Sequence, residues 1–287
     1  MAATSPLSTD ASHLTDRVVV ITGAGGGFGR LIARGVAERG GIPVGCDIDA
    51  DALEAAAAEL AADGFDLTTV TADVTSLTDL QAAIASVVET HGRVDALVNN
   101  AGIMPLAFLA DHAKAAPAWD RCIDINIKGV LHGMIAVHDQ MIAQGRGQIV
   151  NVSSIYGNFP VAGASVYGAT KAAVNVLSES VRVESQGRIK VTTVKPTGVP
   201  GTGLGAGVIN PEAVVGILGQ NAGEYLGVMG AYRAGTAEPE QLDVDSPRYA
   251  VLDPQHIADA VVHALDQPWG VSIGDITVRA TGDRYIL

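Results

Sequence analysis

Tyr167 and Lys171, in the run Tyr-Gly-Ala-Thr-Lys, stand four residues apart. On a helix that spacing puts both side chains on one face. A phenol, with a pKa near ~10, is a poor base at neutral pH. A neighbouring ammonium favours the phenolate. At ~4 Å and an effective dielectric of ~20 the attraction is ~4 kcal/mol. At ~1.36 kcal/mol per pKa unit, that lowers the phenol by at most ~3 units before desolvation. Such a pair can act as general acid and base near neutral pH. By itself Tyr-x-x-x-Lys recurs by chance, and an ordinary surface pair has the same spacing.

A second chemical feature is the turn Thr22-Gly23-Ala24-Gly25-Gly26-Gly27-Phe28-Gly29, which follows the apolar run from Arg17. Glycines there let the backbone approach a pyrophosphate, and the helix that follows offers free N–H groups to the anion. No Gly-Lys-Ser/Thr follows, so it is not a P-loop. Asp47 ends the next apolar run, 18 residues past Gly29. A carboxylate there accepts hydrogen bonds from an adenosine ribose and repels a 2′-phosphate. The places where a basic residue would read that phosphate hold Gly26 and Ile48. Arg30 and Arg34 fall at helix positions that face solvent. The expectation is NAD rather than NADP, and a positively charged oxidised nicotinamide would favour the phenolate further.

The elements that must position these groups alternate. Short apolar runs (RVVVITG, IPVGCD, LTTVTAD, VDALVNN, GQIVNVSS, RIKVTTVKP and Ser272–Arg279) read as strands. Between them lie helical stretches at about Phe28–Arg39, Asp51–Ala62, SLTDLQAAIASVVETHG, Ala116–Gln144, Val166–Glu184 and Pro254–Leu265. Strands apolar on both faces and alternating with helices mean a parallel sheet covered on both sides. The fold class is therefore α/β, a single doubly wound Rossmann domain with seven parallel strands. Residues 1–15 read as a disordered arm and residues 16–287 as one domain. Residues 197–250 form a long glycine-rich segment, with helical patches near Glu212–Leu218 and Glu224–Tyr232, and read as a lid.

Composition narrows the partners. The 287 residues carry 18 basic and 31 acidic side chains, a net charge of −13, which argues against nucleic acid or an anionic membrane surface. Residues 147–170 are uncharged, but Asn151, Ser153, Ser154, Asn158, Pro160 and four glycines interrupt them, so no membrane span is expected. The N-terminus has neither a basic start nor an apolar core, so no secretory signal is read there. Two cysteines, Cys46 and Cys122, form no disulfide framework and suggest a reducing, cytoplasmic compartment. Of 34 glycines, five lie in Gly23–Gly29 and eleven in 197–250, so the excess sits in the two loops that face ligands.

Taken together, these motifs resemble the short-chain dehydrogenase/reductase family, in the subgroup with the Thr-Gly-x-x-x-Gly-x-Gly turn. The resemblance spans about Arg17 to Arg279. It rests on the turn at Thr22–Gly29, the Asn-Asn-Ala-Gly at Asn99–Gly102, Asp73-Val74, Asn126, and a serine 13 residues before Tyr167, which selects Ser154 over Ser153. The resemblance implies a hydride transfer in which Tyr167 exchanges a proton with the substrate oxygen and Ser154 hydrogen-bonds that oxygen. Lys171 would lower the tyrosine pKa and hold the nicotinamide ribose, and Asn126 would position a water. It implies cofactor contacts at Gly23, Gly26, Gly27, Phe28, Gly29, Asp47, Asp73, Val74, Asn100, Ala101, Gly102, Tyr167, Lys171 and Pro196. The family commonly has Pro-Gly after the sixth strand; here Thr197 replaces the glycine. Val199 is the candidate for the carboxamide contact and Thr202 for a displaced threonine near the pyrophosphate. Family members are often tetramers or dimers, so a homo-oligomer is expected.

The substrate pocket is expected from Ile103–Leu109, Ile155–Val161 and the long loop, with Met104, Tyr156, Phe159 and Leu204 as contacts. The loop adds Val208, Ile209, Leu218, Tyr225, Leu226 and Met229. Residues 197–250 hold six acids against Arg233 and Arg248 alone, so an anionic substrate finds little to pair with. A neutral, largely hydrophobic secondary alcohol or ketone is the expected substrate. The seven histidines are scattered without metal-ligand spacing, so no metal is expected. No Gly-x-Ser-x-Gly elbow exists, against a hydrolase. The chain is short for the extra domain of nucleotide-sugar relatives. The alternative function is an NAD-sensing regulator of the same fold, against which the intact Asn126–Ser154–Tyr167–Lys171 set argues. Trp119 and Trp269 read as packing residues.

Overall fold

The computed structural model describes residues 12–286. Strand β1 (Val18–Thr22) has every residue buried. Its side chains alternate: Val19 and Ile21 enter one core, Val18 and Val20 the other. That is the behaviour of a central strand covered on both faces. The chain continues through α1 (Gly27–Ala37), β2 (Ile42–Asp47), α2 (Ala50–Ala62), β3 (Thr68–Thr71), α3 (Leu77–His91) and β4 (Ala96–Asn99). Next come α4 (His112–Ile123), a π-helical turn (Asp124–Gly129), α5 (Val130–Ala143), β5 (Gly147–Val152), α6 (Ser165–Glu184) and β6 (Ile189–Pro196). The last elements are α7 (Val215–Leu218), α8 (Ala222–Arg233), α9 (Pro239–Leu242), α10 (Pro254–Leu265) and β7 (Asp275–Val278).

The strands form one seven-stranded sheet in the order β3-β2-β1-β4-β5-β6-β7, and every pairing is parallel. The order reverses between β1 and β4. In such sheets ligands bind in the crevice beyond the carboxyl ends of the strands at that point. The turn after β1, Asp47 at the end of β2 and the segment after β4 all lie there.

Three expectations change. The N-terminal arm was drawn to residue 15; residues 1–11 lie outside the described residues, but residues 12–15 are held. Asp266 Oδ1 accepts from Ser12 Oγ (3.0 Å), His13 N (2.6 Å) and Leu14 N (3.2 Å), and Leu14 is fully buried. A carboxylate capping three donors, with a leucine behind it, outweighs the polar composition of the segment. The single helix expected over Ala116–Gln144 starts earlier, at His112, and is divided by the π-helical turn. Pro117 therefore lies inside α4 rather than at its start. The first turn is held by buried Ala115 and by Trp119, whose Nε1 donates to Pro105 O (3.1 Å). Finally, residues 197–250 carry more helix than expected, with α9 in addition to the two anticipated patches.

No described helix is long and apolar enough to cross a membrane. Among the described residues no group of three His, Cys, Asp or Glu could hold a metal ion. Cys46 and Cys122 are free and buried.

Candidate active site

The glycine turn is fixed from β4. Thr22 Oγ1 accepts from Asn100 N (3.0 Å) and Ala101 N (3.1 Å), and Asn100 Nδ2 donates to Thr22 O (2.9 Å) and Gly23 O (3.1 Å). Gly23 has φ +68, and a Cβ on Gly29 would stand 2.1 Å from Gly23 O. Side chains at these two positions would break the turn. Helix α1 starts behind it with no side-chain cap and no acid in its first turn. Its first N–H groups and partial positive charge are thus left for an anion. Thr202 O lies 3.2 Å from the place of a Cβ on Gly27, so the segment after β6 crosses the turn. The side chains of Phe28 and Val199, partly buried, pack against the core cluster.

Asp47 ends β2 with Oδ2 accepting from Gly25 N (3.0 Å) and Oδ1 from Asp49 N (3.1 Å). The two nearby arginines are engaged elsewhere. Arg30 pairs with Glu59 (2.6 Å), and Arg34 with Glu59 (3.3 Å) and Asp63. Asp73 Oδ1 accepts from Thr75 N and Oγ1 (both 2.8 Å). Val74 is wedged against Gly129, and its carbonyl accepts from His132 Nδ1 (3.0 Å).

The proton-handling residues meet at the end of β5. Ser154 Oγ accepts from Tyr156 N (3.2 Å), which closes a helical turn at Ile155–Gly157. That turn sits directly on α6: a Cβ on Gly157 would stand 2.7 Å from the Lys171 backbone. Tyr167 is 3% exposed and Lys171 6%. Lys171 Nζ donates to Val152 O (2.9 Å) and lies 5.8 Å from the centre of the Tyr167 ring. The place of a Cβ on Gly102 is 3.3 Å from Asn126 Oδ1 and 3.6 Å from Lys171 Nζ, so these residues share one wall.

Burial governs the electrostatics. It pushes the Tyr167 phenol well above its ordinary value, opposed by a hydrogen bond with Ser154. It also lowers Lys171 from 10.5 to about 8. The sequence argument gave the ammonium's pull on the phenol before desolvation. In the protein alone both groups are desolvated and both shift toward neutrality, because burial disfavours the charged form of each.

Asn126 is fully buried in the π-helical turn. Oδ1 accepts from Ile103 N (3.0 Å), and Nδ2 donates to Ile103 O (2.9 Å), near Thr170 Oγ1 (3.2 Å) and Cys122 Sγ (3.3 Å). Its side chain thus clamps the segment after β4.

Above this wall the segment after β6 packs down. Tyr156, Ile155, Leu106, Ile217 and Leu218 form one apolar cluster with Tyr167, joined by Met104, Phe108, Val161, Val208 and Tyr225. Tyr156 meets Tyr167 edge-on, with ring centres 5.4 Å apart. Five expected pocket residues lie outside this cluster. Phe159 is 58% exposed and Leu226 52%, Leu204 heads a separate short turn, Ile209 packs instead beside Trp119, and Met229 is buried elsewhere. All five sit in glycine- or proline-interrupted stretches where hydrophobicity alone does not fix direction.

Further buried contacts were not anticipated from the sequence. Asn99 Nδ2 donates to Asn151 Oδ1 (2.8 Å), and Asn151 Nδ2 to Ser178 Oγ (2.8 Å), a buried chain from β4 through β5 to α6. Unbroken apolar strands interrupted by asparagine were the available signal. Thr197, in the usual glycine place, has a buried Oγ1 with no partner. Tyr285, from the C-terminal tail, joins the apolar cluster.

A bare helix N-terminus, a turn cleared of side chains, a ribose-side carboxylate and an orphaned hydroxyl beyond β6 fit a dinucleotide. The family model for short chain dehydrogenases matches residues 17–212. The chain belongs to the short-chain dehydrogenase family. It is 33% identical to an uncharacterized oxidoreductase of Listeria monocytogenes over 275 residues, covering 95% of this chain and 99% of that one. It is 32% identical to one of Staphylococcus aureus over 267 residues, covering 93% and 98%. Among solved structures, a closed serine dehydrogenase complexed with NADP+ is 28% identical at a TM-score of 0.72, covering 91% and 94%. A metagenomic short-chain oxidoreductase in complex with NADP is 27% identical at 0.70, covering 93% and 98%. An alcohol dehydrogenase of Thermococcus sibiricus, 24% identical at 0.73 and covering 93% and 98%, shares the fold. This short-chain dehydrogenase is thus an oxidoreductase whose fold binds a nicotinamide cofactor.

Proposed function

We propose that the protein moves a hydride between NAD(H) and a neutral, largely hydrophobic secondary alcohol or ketone. The carrying observation is the meeting of Ser154, Tyr167 and Lys171, all buried, at the end of β5 beside the glycine turn. When bound, the nicotinamide supplies or accepts the hydride. Tyr167 exchanges the proton with the substrate oxygen, and Ser154 donates a hydrogen bond to the charge developing there. Lys171, tied to Val152 O, keeps an ammonium near the phenol and is the donor for the nicotinamide ribose. The lid excludes water from this apolar site, which strengthens each of these interactions.

For the cofactor, the relatives solved with NADP point one way by likeness and Asp47 the other. Its carboxylate ends β2, Ile48 beside it is exposed, and Arg30 and Arg34 are paired to acids. An acid there and arginines engaged with other acids support NAD as the preferred cofactor. For the assembly, Val176 and Val183 are exposed on α6 and fit a homo-oligomer, which light scattering on the purified protein tests. The reaction is tested by NAD reduction over a panel of hydrophobic secondary alcohols, with Tyr167→Phe as the control.

A further inference from the structure

Two tyrosines 60 residues apart meet in the apolar cluster beside Tyr167. Tyr285 Oη donates to Tyr225 Oη (3.1 Å), and their rings are 5.6 Å apart. Tyr225 is on α8 of the lid and Tyr285 on the C-terminal tail. Both belong to the apolar cluster that contains Tyr156 and Tyr167. They lie over Gly198, just beyond β6: a Cβ there would stand 1.5 Å from Tyr285 Oη and 3.2 Å from Tyr225 Oη. Any side chain at Gly198 would evict the pair.

The tail is fastened where it must be for this. Ile286 N donates to Ile217 O (3.1 Å), Asn221 Nδ2 to Arg284 O (3.0 Å), and Arg284 pairs with Glu224 (2.6 Å). The last described residues are thus laced to α7 and α8. After the bond between the two phenols, Tyr225 keeps one O–H to donate and Tyr285 one oxygen to accept. Among the described residues neither hydroxyl has another partner. In an apolar cluster such a pair is under-satisfied and prefers a ligand oxygen that both donates and accepts.

We propose that Tyr225 and Tyr285 form a second polar subsite, built from lid and tail, that binds an uncharged hydroxyl on the substrate away from its reacting carbon. The substrate class is then a hydroxylated secondary alcohol or ketone rather than a plain one. A carboxylate is disfavoured, because Arg284 beside Tyr285 is already paired to Glu224 and the Asp283 carboxylate lies against the Tyr285 backbone. The inference rests on the hydride-transfer reading only for the reacting end of the molecule.

The test uses the full-length protein, a straight-chain methyl ketone, and the same ketone hydroxylated in turn at each further carbon. Two readouts are taken: kcat/KM with reduced nicotinamide, and dissociation constants by calorimetry on the protein–NAD complex. One hydroxyl spacing is expected to be favoured over the parent by about three- to tenfold, the worth of a neutral hydrogen bond. Tyr225→Phe and Tyr285→Phe are each expected to bring that ratio close to one. Gly198→Ala, which displaces the pair without changing either tyrosine, should do the same. No preference in the wild type by either readout overturns the subsite. So does a preference that survives all three substitutions, or variants that weaken NAD binding while leaving the ratio intact. Absence of turnover with the calorimetric preference retained would sink the hydride-transfer reading and support the subsite.

Discussion

Lys171 illustrates how a site of this kind trades stability for chemistry. Its ammonium is 6% exposed, makes one hydrogen bond, to Val152 O, and has its pKa lowered from 10.5 to about 8 by burial. That fall corresponds to roughly 3 kcal/mol of unfavourable burial while the lysine is charged. Lys171→Met keeps the volume and removes the charge, but leaves Val152 O without its partner, at a cost of about 1–2 kcal/mol. The variant is therefore expected to be more stable than the parent at pH 7, by about 1–2 kcal/mol, and to lose activity. The pH dependence separates this from simple repacking. Between pH 8 and 10.5 the unfolded lysine holds its proton and the folded one does not, so the parent gains stability as pH rises through that window. The advantage of the variant should shrink over the same window and reverse at its top. Guanidinium unfolding at fixed protein concentration, at pH 7 and again near pH 10, reads both values. A variant less stable at pH 7, or a difference that ignores pH, refutes the reasoning.

Three further outcomes follow from the geometry. Asp47→Ser should lower the NAD-to-NADP ratio of kcat/KM by about 10- to 100-fold, the scale of removing one charge repulsion and one ribose contact; an unchanged ratio rules out Asp47 as the discriminator. Thr197→Val removes the orphaned hydroxyl and should raise the thermal stability of the cofactor-free protein by about 1 kcal/mol while weakening NAD binding; calorimetry with and without NAD checks both signs. Leu14→Ala should cost about 2–4 kcal/mol in denaturant unfolding, because a fully buried leucine is removed from the core beneath α10; a negligible loss would mean that the N-terminal segment is not part of the folded unit.

The parallel sheet was legible because its inner strands are short apolar runs alternating with helical stretches, the polar edge strands β3 and β7 being the weakest signals. The glycine turn was legible because its glycines are demanded by backbone approach, as at Gly29. Ser154, Tyr167 and Lys171 were legible by spacing and family resemblance. Other features depend on contacts distant in the chain. The π-helical turn that lets Asn126 reach Ile103 leaves no mark in a helical periodicity. Ser12–Leu14 look like linker until Asp266 is placed beside them. Tyr285 could not be assigned to the pocket without seeing the tail fold back on α8. The charge argument for Lys171 erred for the same reason: spacing along a helix gives proximity but not the burial that sets both pKa values.

The most direct test is the rate of NAD reduction, followed by the ultraviolet absorbance of reduced nicotinamide, over a panel of neutral hydrophobic secondary alcohols with wild type and Tyr167→Phe side by side. Turnover of at least one alcohol by the wild type, with a loss of about 100-fold or more in the variant, is the predicted result. Tight NAD binding with no turnover of any alcohol would contradict it and favour a sensor. Turnover that survives loss of the Tyr167 hydroxyl would contradict the assignment of the proton donor.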